Sequence, residues 1–155
     1  MRFVYGSTER MFVNTALGCK ANCKYCYLPK IQNGIDVDYI SAESAIEMVE
    51  YNSCFVKGEN GTIISIGCYS ECLDEENIAK TKAILEYFLP MGNYIQLATK
   101  QKISNDIIDV IIDKRVFKEQ VSVYISMPTI SEISQLESGT ELLIKRFRQK
   151  QIYIF

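Results

Sequence analysis

Three cysteines stand close together near the N-terminus, at a spacing that can hold one metal centre. Cys19, Cys23 and Cys26 form a Cys-x3-Cys-x2-Cys arrangement in residues 14–29, which we call the cysteine loop. Thiolates are the ligands that hold zinc ions and iron–sulfur clusters. A structural zinc ion and an ordinary cubane cluster both take four protein ligands, whereas this loop supplies three. The spacing therefore predicts a [4Fe–4S] cluster with one iron left open for a small-molecule ligand.

Two other interpretations of the three cysteines remain open. A zinc site needs a fourth ligand from a distant part of the chain, and the sequence contains no histidine. Alternatively, the cysteines are free thiols that are packed in a loop. Measured iron and zinc contents would distinguish these interpretations.

The residues around the cysteines resemble those of a known family. The run Gly-Cys-x3-Cys-x-Tyr-Cys-Tyr-Leu, residues 18–28, resembles the signature loop of the radical S-adenosylmethionine (radical SAM) enzymes, and within them the spore photoproduct lyase branch. Enzymes of this branch are lyases that reverse a thymine lesion in the DNA of dormant spores. The resemblance implies that Cys19, Cys23 and Cys26 hold the cluster and that SAM binds its open iron. It also implies reductive cleavage of SAM to methionine and a 5′-deoxyadenosyl radical.

Strands and helices are predicted to alternate after the cysteine loop. Apolar, β-branched runs predict strands, and apolar residues at helical spacing predict helices. The predicted strands are 11–14, 62–67, 94–98, 120–126 and 152–155; the predicted helices begin at a cap at Ser41, at Asp74 and near Ser104 or Asn105, and a fourth spans 140–149. This alternation predicts an α/β fold with a parallel sheet and right-handed crossovers.

The resemblance gives this α/β pattern a specific architecture. Radical SAM enzymes commonly fold as a partial (β/α)6 barrel, and the sequence predicts about four βα units plus a terminal strand. We therefore expect a single, truncated radical SAM domain over residues 1–155. The apolar residues 152–155 would leave a strand edge uncovered. A second copy of the chain, or a partner chain, is expected to complete the barrel.

Polar side chains lie where the predicted strands end. Ligands of parallel α/β proteins bind beyond the carboxyl ends of the strands, and Ser70, Lys100 and Ser126 fall at such ends. Lys100 is suited to neutralise the carboxylate of SAM, and the two serines can form neutral hydrogen bonds. All three also match SAM-binding positions of the family that the chain resembles. With Tyr25, they are the predicted cofactor-binding residues.

The resemblance also implies two catalytic residues. The run Cys-Tyr-Ser-Glu, residues 68–71, resembles the family's Cys-Thr-Ser-Asp stretch, whose cysteine donates a hydrogen atom to the product radical. Tyr27 corresponds to a tyrosine implicated in relaying that hydrogen atom. Cys68 and Tyr27 are therefore the predicted catalytic residues, although a free cysteine after a buried strand is often only a small apolar residue. Cys72 is either a redox partner for Cys68 or has no role, and Cys54 is expected in the core.

The chain departs from the family towards its C-terminal end. Glu137 and Arg146 match a Glu…Arg pair only loosely, and the part that carries most of the lesion-binding contacts has no counterpart. The substrate, DNA or another molecule, is therefore left open. The electron donor is expected to be of the flavodoxin or ferredoxin type. The alternative function is a non-catalytic iron–sulfur or zinc-binding module that needs a partner chain for activity.

Composition restricts the class of protein and its location. The 155 residues are a single-domain length, and the net charge of −2 gives no overall basic surface for nucleic acid. Six cysteines without a secretory segment favour the cytoplasm. No apolar stretch approaches the roughly 20 residues of a membrane span. We expect a cytoplasmic protein that does not enter the membrane.

Overall fold

The centre of the protein is a mixed sheet of five strands in which neighbouring strands are mostly parallel. The structure, a computed structural model, describes residues 1–31, 36–126, 133–142 and 144–145. Its strands are β1 (Val4–Gly6), β2 (Arg10–Val13), β3 (Ala16–Leu17), β4 (Asp38–Tyr39), β5 (Ile63–Ile66), β6 (Ile95–Thr99) and β7 (Val121–Ile125). The main sheet has the order β1-β2-β5-β6-β7, and only β1 joins it antiparallel. Strands β3 and β4 form a separate antiparallel pair.

The described part of the chain contains five helices, and the three longest connect consecutive parallel strands of the main sheet. The helices are α1 (Leu28–Ile31), α2 (Ala42–Glu50), α3 (Ile78–Phe88), which continues into a 3-10 turn at Leu89–Met91, α4 (Asn105–Lys114) and α5 (Ile133–Leu136). Helix α3 packs against both α2 and α4. Because right-handed crossovers between strands in chain order place their helices on one side, α2, α3 and α4 belong to a single layer on the sheet. The α/β class and the mostly parallel sheet are confirmed. None of the described helices has both the length and the apolar character that a bilayer crossing requires.

The hydrophobic core lies between the sheet and this helical layer. Ile64 and Ile66 of β5, Leu97 of β6 and Phe88 of α3 are all buried in it. Successive side chains of a strand point to opposite faces. The alternate residues Ser65 and Gln96 therefore lie on the other face, where the hydroxyl of Ser65 donates a hydrogen bond to Gln96.

Two predicted helix starts, those of α2 and α4, are confirmed. Each could be predicted because a capping serine precedes the helix in the sequence. The Ser41 hydroxyl accepts the N–H of Ser44 at the start of α2, and Ser104 does the same for Ile107 at the start of α4. Each serine satisfies a backbone donor that the first turn of a helix leaves unpaired. These caps fix where the connections after the cysteine loop and after β6 become helical.

The predicted start of α3 at Asp74 is wrong, because Asp74 caps a turn that precedes the helix. Its carboxylate accepts the N–H of Asn77 at 2.8 Å and that of Glu76 at 3.2 Å. Helix α3 itself begins four residues later, at Ile78. Strand β1 was not predicted; it pairs antiparallel with β2 through a turn after Gly6.

The C-terminal predictions fall largely on residues outside the described part of the chain. The predicted strand 152–155 and Arg146 lie entirely there. Of the predicted helix 140–149, residues 140–142 are described and are not helical, residues 144–145 are helical, and the remainder lies outside.

Candidate functional site

A cavity of about 220 Å³ opens at the carboxyl edge of the parallel strands, beside the cysteine loop. Every residue predicted to bind metal or cofactor, or to act in catalysis, lines it. These residues are Cys19, Cys23, Tyr25, Cys26, Tyr27, Cys68, Ser70, Lys100 and Ser126. The loop supplies the first five, and the ends of β5, β6 and β7 supply the others. The fold thus brings together residues from four separate parts of the sequence.

The three cysteines reach the cavity from one turning loop. None forms a disulfide, and each is partly exposed. Asn22 lies in the left-handed region at φ 49°, which asparagine tolerates better than most residues, and it reverses the chain just before Cys23. The N–H of Cys26 then donates to the carbonyl of Cys23 at 2.9 Å. The loop thus presents three thiols from one segment of eight residues, Cys19 to Cys26.

The thiols of Cys19 and Cys23 are protonated at neutral pH. Burial raises the pKa of both, and the nearby carboxylates of Glu71 and Glu137 add to the effect at Cys19 and Cys23 respectively. Metal ions bind thiolates, so a metal centre in this loop must displace these protons. Binding would therefore release protons and strengthen as the pH rises.

The cysteine arrangement is not a closed site for a single metal ion. In the part of the chain that the structure describes, no three cysteine, aspartate or glutamate side chains converge on one ion position. A [4Fe–4S] cluster requires a different geometry, because each thiolate binds a different iron. Three thiols from one loop that line one cavity fit that donor set.

Ser70 has an unsatisfied hydroxyl that lines the cavity. Its Oγ is buried and has no hydrogen-bond partner among the described residues. Leaving a buried polar group unpaired costs about 1–3 kcal/mol, so such groups are rare away from binding sites. A polar ligand in the cavity would supply the missing partner. This observation fits a bound cofactor that carries hydrogen-bonding groups.

The chain after β5 is fixed to the start of the cysteine loop. Gly67 leaves the strand at φ +89°, and a Cβ there would lie 3.0 Å from the Cβ of Cys72. The buried side chain of Asn14 accepts the N–H of Tyr69 at 2.8 Å, and the N–H of Gly18 donates to the carbonyl of Tyr69 at 3.1 Å. These contacts hold Cys68 and Ser70 at the cavity.

Glu71 ties the loop after β5 to the end of β6. Its buried carboxylate accepts the hydroxyl of Thr99, the N–H of Lys100 at 2.8 Å and the N–H of Leu73 at 3.2 Å. Burial raises the pKa of this carboxyl. Sequence reasoning noted Glu71 only as part of a motif and missed this positioning role, because its partners lie on another strand.

Lys100 lies among groups that orient its charge. Its Nζ donates to Ser126 Oγ at 2.9 Å and lies 3.7 Å from Oε1 of Glu137. It also lies 5.8 Å from the ring centroid of Tyr25. The Glu137 side chain is fully buried, whereas that of Lys100 is 21% exposed. A ligand carboxylate at Lys100 would therefore share the ammonium group with Glu137.

Glu137 belongs to a segment that lies across the cysteine loop. The hydroxyl of Tyr25 donates to its carboxylate, and burial together with this bond raises the pKa of Tyr25. The N–H of Lys24 donates to the carbonyl of Leu136 at 2.9 Å, and Glu137 forms an isolated bridge with Cys23. The sequence comparison related Glu137 and Arg146 loosely to a Glu…Arg pair of the family, and it missed the ion pair of Glu137 with Lys100. Arg146 lies outside the described residues.

The two residues predicted for catalysis lie together at the cavity. The hydroxyl of Tyr27 donates to the backbone carbonyl of Cys68 at 3.3 Å. Burial raises the pKa of the Cys68 thiol, so it carries its hydrogen near neutral pH. Cys72 is buried in the core, and its thiol donates to the carbonyl of Ala98. Cys54 packs against the same core, as predicted.

Comparisons with known proteins assign no family to the chain. No family model matches it, and no curated protein or solved structure does so either. The function must therefore be inferred from the cysteine loop and from the cavity that its residues share with the ends of the strands.

Proposed function

We propose that this chain is a radical SAM enzyme that resembles spore photoproduct lyase. It would bind a [4Fe–4S] cluster through Cys19, Cys23 and Cys26 and cleave SAM reductively. The observation that carries the proposal is that the loop thiols line the same cavity as the residues predicted to hold SAM. A sheet whose parallel strands follow chain order, with its helices in one layer, is also what part of a (β/α) barrel would have.

The cluster would supply the electron that breaks the bond between the sulfonium sulfur and C5′ of SAM, which leaves methionine and a carbon radical. The chain's own residues would bind and orient the cofactor. Lys100 would face its carboxylate, and the buried hydroxyl of Ser70 would gain the partner that it lacks. Glu71 and Glu137 act as positioning residues, because they fix the backbone and the ammonium of Lys100 respectively.

Cys68 would provide a hydrogen atom after the radical has formed. Its thiol keeps its hydrogen because burial raises its pKa. Transfer to a substrate radical would break the S–H bond, form a C–H bond and leave a sulfur radical on Cys68. Tyr27, whose hydroxyl lies at the backbone of Cys68, would be the next hydrogen donor in line.

The proposal is tested by product formation under strictly anaerobic conditions. The reconstituted chain is reduced with dithionite in the presence of SAM, and methionine and 5′-deoxyadenosine are quantified by mass spectrometry. We expect both products in equal amounts from the wild type, and neither from Cys26→Ala. A wild-type chain that holds a cluster but yields no 5′-deoxyadenosine would overturn the proposal.

A further inference from the structure

The segment that contains Glu137 is fixed to the cysteine loop through its backbone. Glu137 forms an isolated antiparallel bridge with Cys23, and the N–H of Gly139 donates to the carbonyl of Ala21 at 3.1 Å. A Cβ at Gly139 would lie 2.7 Å from the carbonyl oxygen of Ala21, so the two backbones are in close contact. These contacts place Glu137 beside a predicted ligand of the cluster.

The carboxylate of Glu137 is buried and has several polar neighbours. Its side chain is fully buried, and its Oε1 lies 3.7 Å from the Nζ of Lys100. The hydroxyl of Tyr25 donates to it, and the hydroxyl of Thr140 lies 3.4 Å from its Oε2. Burying a carboxylate is costly unless it is paired and hydrogen-bonded, and both conditions are met here. A fixed negative charge therefore lies beside the cysteine loop.

The ion pair with Lys100 does not cancel this charge at Cys23. Burial has the largest effect on the Cys23 thiol and raises its pKa; the charge of Glu137 raises the pKa further, and the charge of Lys100 lowers it by less. Glu137 is bridged to Cys23 through the backbone, whereas Lys100 follows β6. A group bound to the Cys23 thiolate would therefore experience a net negative potential from the pair.

We propose that the carboxylate of Glu137 lowers the reduction potential of the cluster, an inference that rests on the proposed function. Reduction adds one electron to the cluster, and a fixed negative charge opposes that addition. The charge, hydrogen bonds and solvent exposure around an iron–sulfur cluster set its reduction potential. With Glu137 in place, the reduced cluster would be a stronger reductant. This favours the step in which the cluster loses its electron to SAM and the bond between sulfur and C5′ breaks.

The burial of Glu137 distinguishes it from another glutamate of the same segment. Exposed charges are screened by water and salt, whereas buried charges are screened much less. The carboxylate of Glu141 forms an ion pair with Lys145 at 2.9 Å, and its side chain is 22% exposed. A role that depends on a buried charge is therefore expected of Glu137 and not of Glu141.

The test is a redox titration of the reconstituted chain without SAM, followed by electron paramagnetic resonance. Glu137→Gln removes the charge and keeps an oxygen that can accept the hydroxyl of Tyr25. We expect a more positive midpoint potential: at a fixed solution potential, the ratio of reduced to oxidised cluster should rise about tenfold, which is about 59 mV for a one-electron couple. The difference should persist at high salt, because a buried charge is screened little.

Two further variants separate the charge of Glu137 from its structural contacts. Glu141→Gln removes a carboxylate from the same segment and should leave the midpoint potential unchanged. Glu137→Asp keeps the charge, so its potential should lie closer to that of the wild type than the potential of Glu137→Gln does. A purely structural role would change the iron content or the spectrum of both Glu137 variants and would not follow the charge.

A second substitution keeps the proposal testable if Glu137→Gln holds no cluster. Lys100→Met removes the neighbouring cation and leaves the hydrogen bond from Tyr25 to Glu137. We then expect the midpoint potential to become more negative than that of the wild type. The opposite directions expected for the two substitutions follow from the signs of the charges that they remove.

The outcomes separate this inference from the proposed function. An unchanged or more negative potential in Glu137→Gln with full iron content would overturn the role of Glu137, and SAM cleavage by the wild type would leave the proposed function standing. An unchanged or more positive potential in Lys100→Met would have the same consequence. A wild-type chain that holds no reducible cluster would remove both the inference and the proposed function.

Discussion

The cysteines of this chain lie in two kinds of surroundings. The three loop cysteines and Cys68 line the cavity, whereas Cys54 and Cys72 pack with the core. Only a thiol that reaches the cavity can serve as a ligand or exchange a hydrogen atom with a molecule bound there. Substitution of cysteines from the two groups should therefore give different results.

Replacing one loop cysteine should remove the cluster. A cubane in the Cys23→Ala variant would keep two protein ligands and expose two irons to water, so we expect its iron content after anaerobic reconstitution to fall to near zero. Cys54→Ala is the matched control and should keep the wild-type iron content, since Cys54 belongs to the core. Full iron occupancy in Cys23→Ala would exclude this residue as a ligand.

Replacing Lys100 should weaken SAM binding and leave the cluster in place. A charge-assisted hydrogen bond contributes about 1.5–3 kcal/mol, so Lys100→Ala should lower SAM affinity roughly 10- to 100-fold. Lys102→Ala removes an exposed lysine two positions away and should leave the affinity unchanged. Calorimetric titration of the cluster-loaded variants provides the measurement. Equal SAM affinity in Lys100→Ala and wild type would rule out the assigned role.

At the scale of elements, the ends of the strands determine the site. The chain leaves β5 at Gly67 with φ +89°, and a Cβ added there would lie 3.0 Å from the Cβ of Cys72, so a residue without a side chain is favoured at this position. The connection after β5 carries Cys68, Ser70 and Glu71 to the cavity. A change of backbone conformation at Gly67 would therefore displace several residues of the candidate site at once.

Gly67→Ala tests the importance of that backbone turn. The new Cβ would meet Cys72 Cβ at 3.0 Å and the carbonyl of Ala98 at 3.3 Å, and φ +89° is unfavourable for alanine. Gly58→Ala is a matched control, since Gly58 has φ +101° but no atom within 4 Å of the added Cβ. We expect the strain at φ to lower the free energy of unfolding by about 1–3 kcal/mol in both variants. Gly67→Ala should lose about 1–3 kcal/mol more from overpacking, measured by urea denaturation. Equal stability of the two variants would contradict this account.

Local signals in the sequence predicted some elements well. Ser41 and Ser104 fix helix starts because a cap and its helix are adjacent in sequence. Asp74 misled the prediction because an aspartate that caps a turn has the same local pattern as one that caps a helix. The short strand β1 carries too few residues to show a period, and it is stabilised by its pairing with β2.

The candidate site was predictable where strand ends and the family resemblance agreed. Ser70, Lys100 and Ser126 follow or end strands whose carboxyl ends meet at one edge, so their convergence follows from a parallel sheet. The ion pair of Lys100 with Glu137 was not predictable. Glu137 reaches Lys100 only because its segment folds back across the cysteine loop, and no sequence period reports such a contact.

At the scale of the whole molecule, the sheet has one covered and one more polar face. The covered face packs on α2, α3 and α4, and the other carries Ser65 and Gln96. In a barrel, this second face would surround the interior, next to the cavity. The predicted strand 152–155 lies outside the described residues, and the partner expected to complete a barrel remains a prediction. Light scattering on the cluster-loaded chain would detect a second copy.

The most direct test of the central claim is the metal content of the wild-type chain after anaerobic reconstitution, combined with electron paramagnetic resonance. We predict about four irons and four sulfides per chain, and a reduced-state spectrum that changes when SAM is added, because one iron would lack a protein ligand. A colourless protein that contains one zinc ion per chain, or an iron–sulfur spectrum that SAM leaves unchanged, would contradict the account.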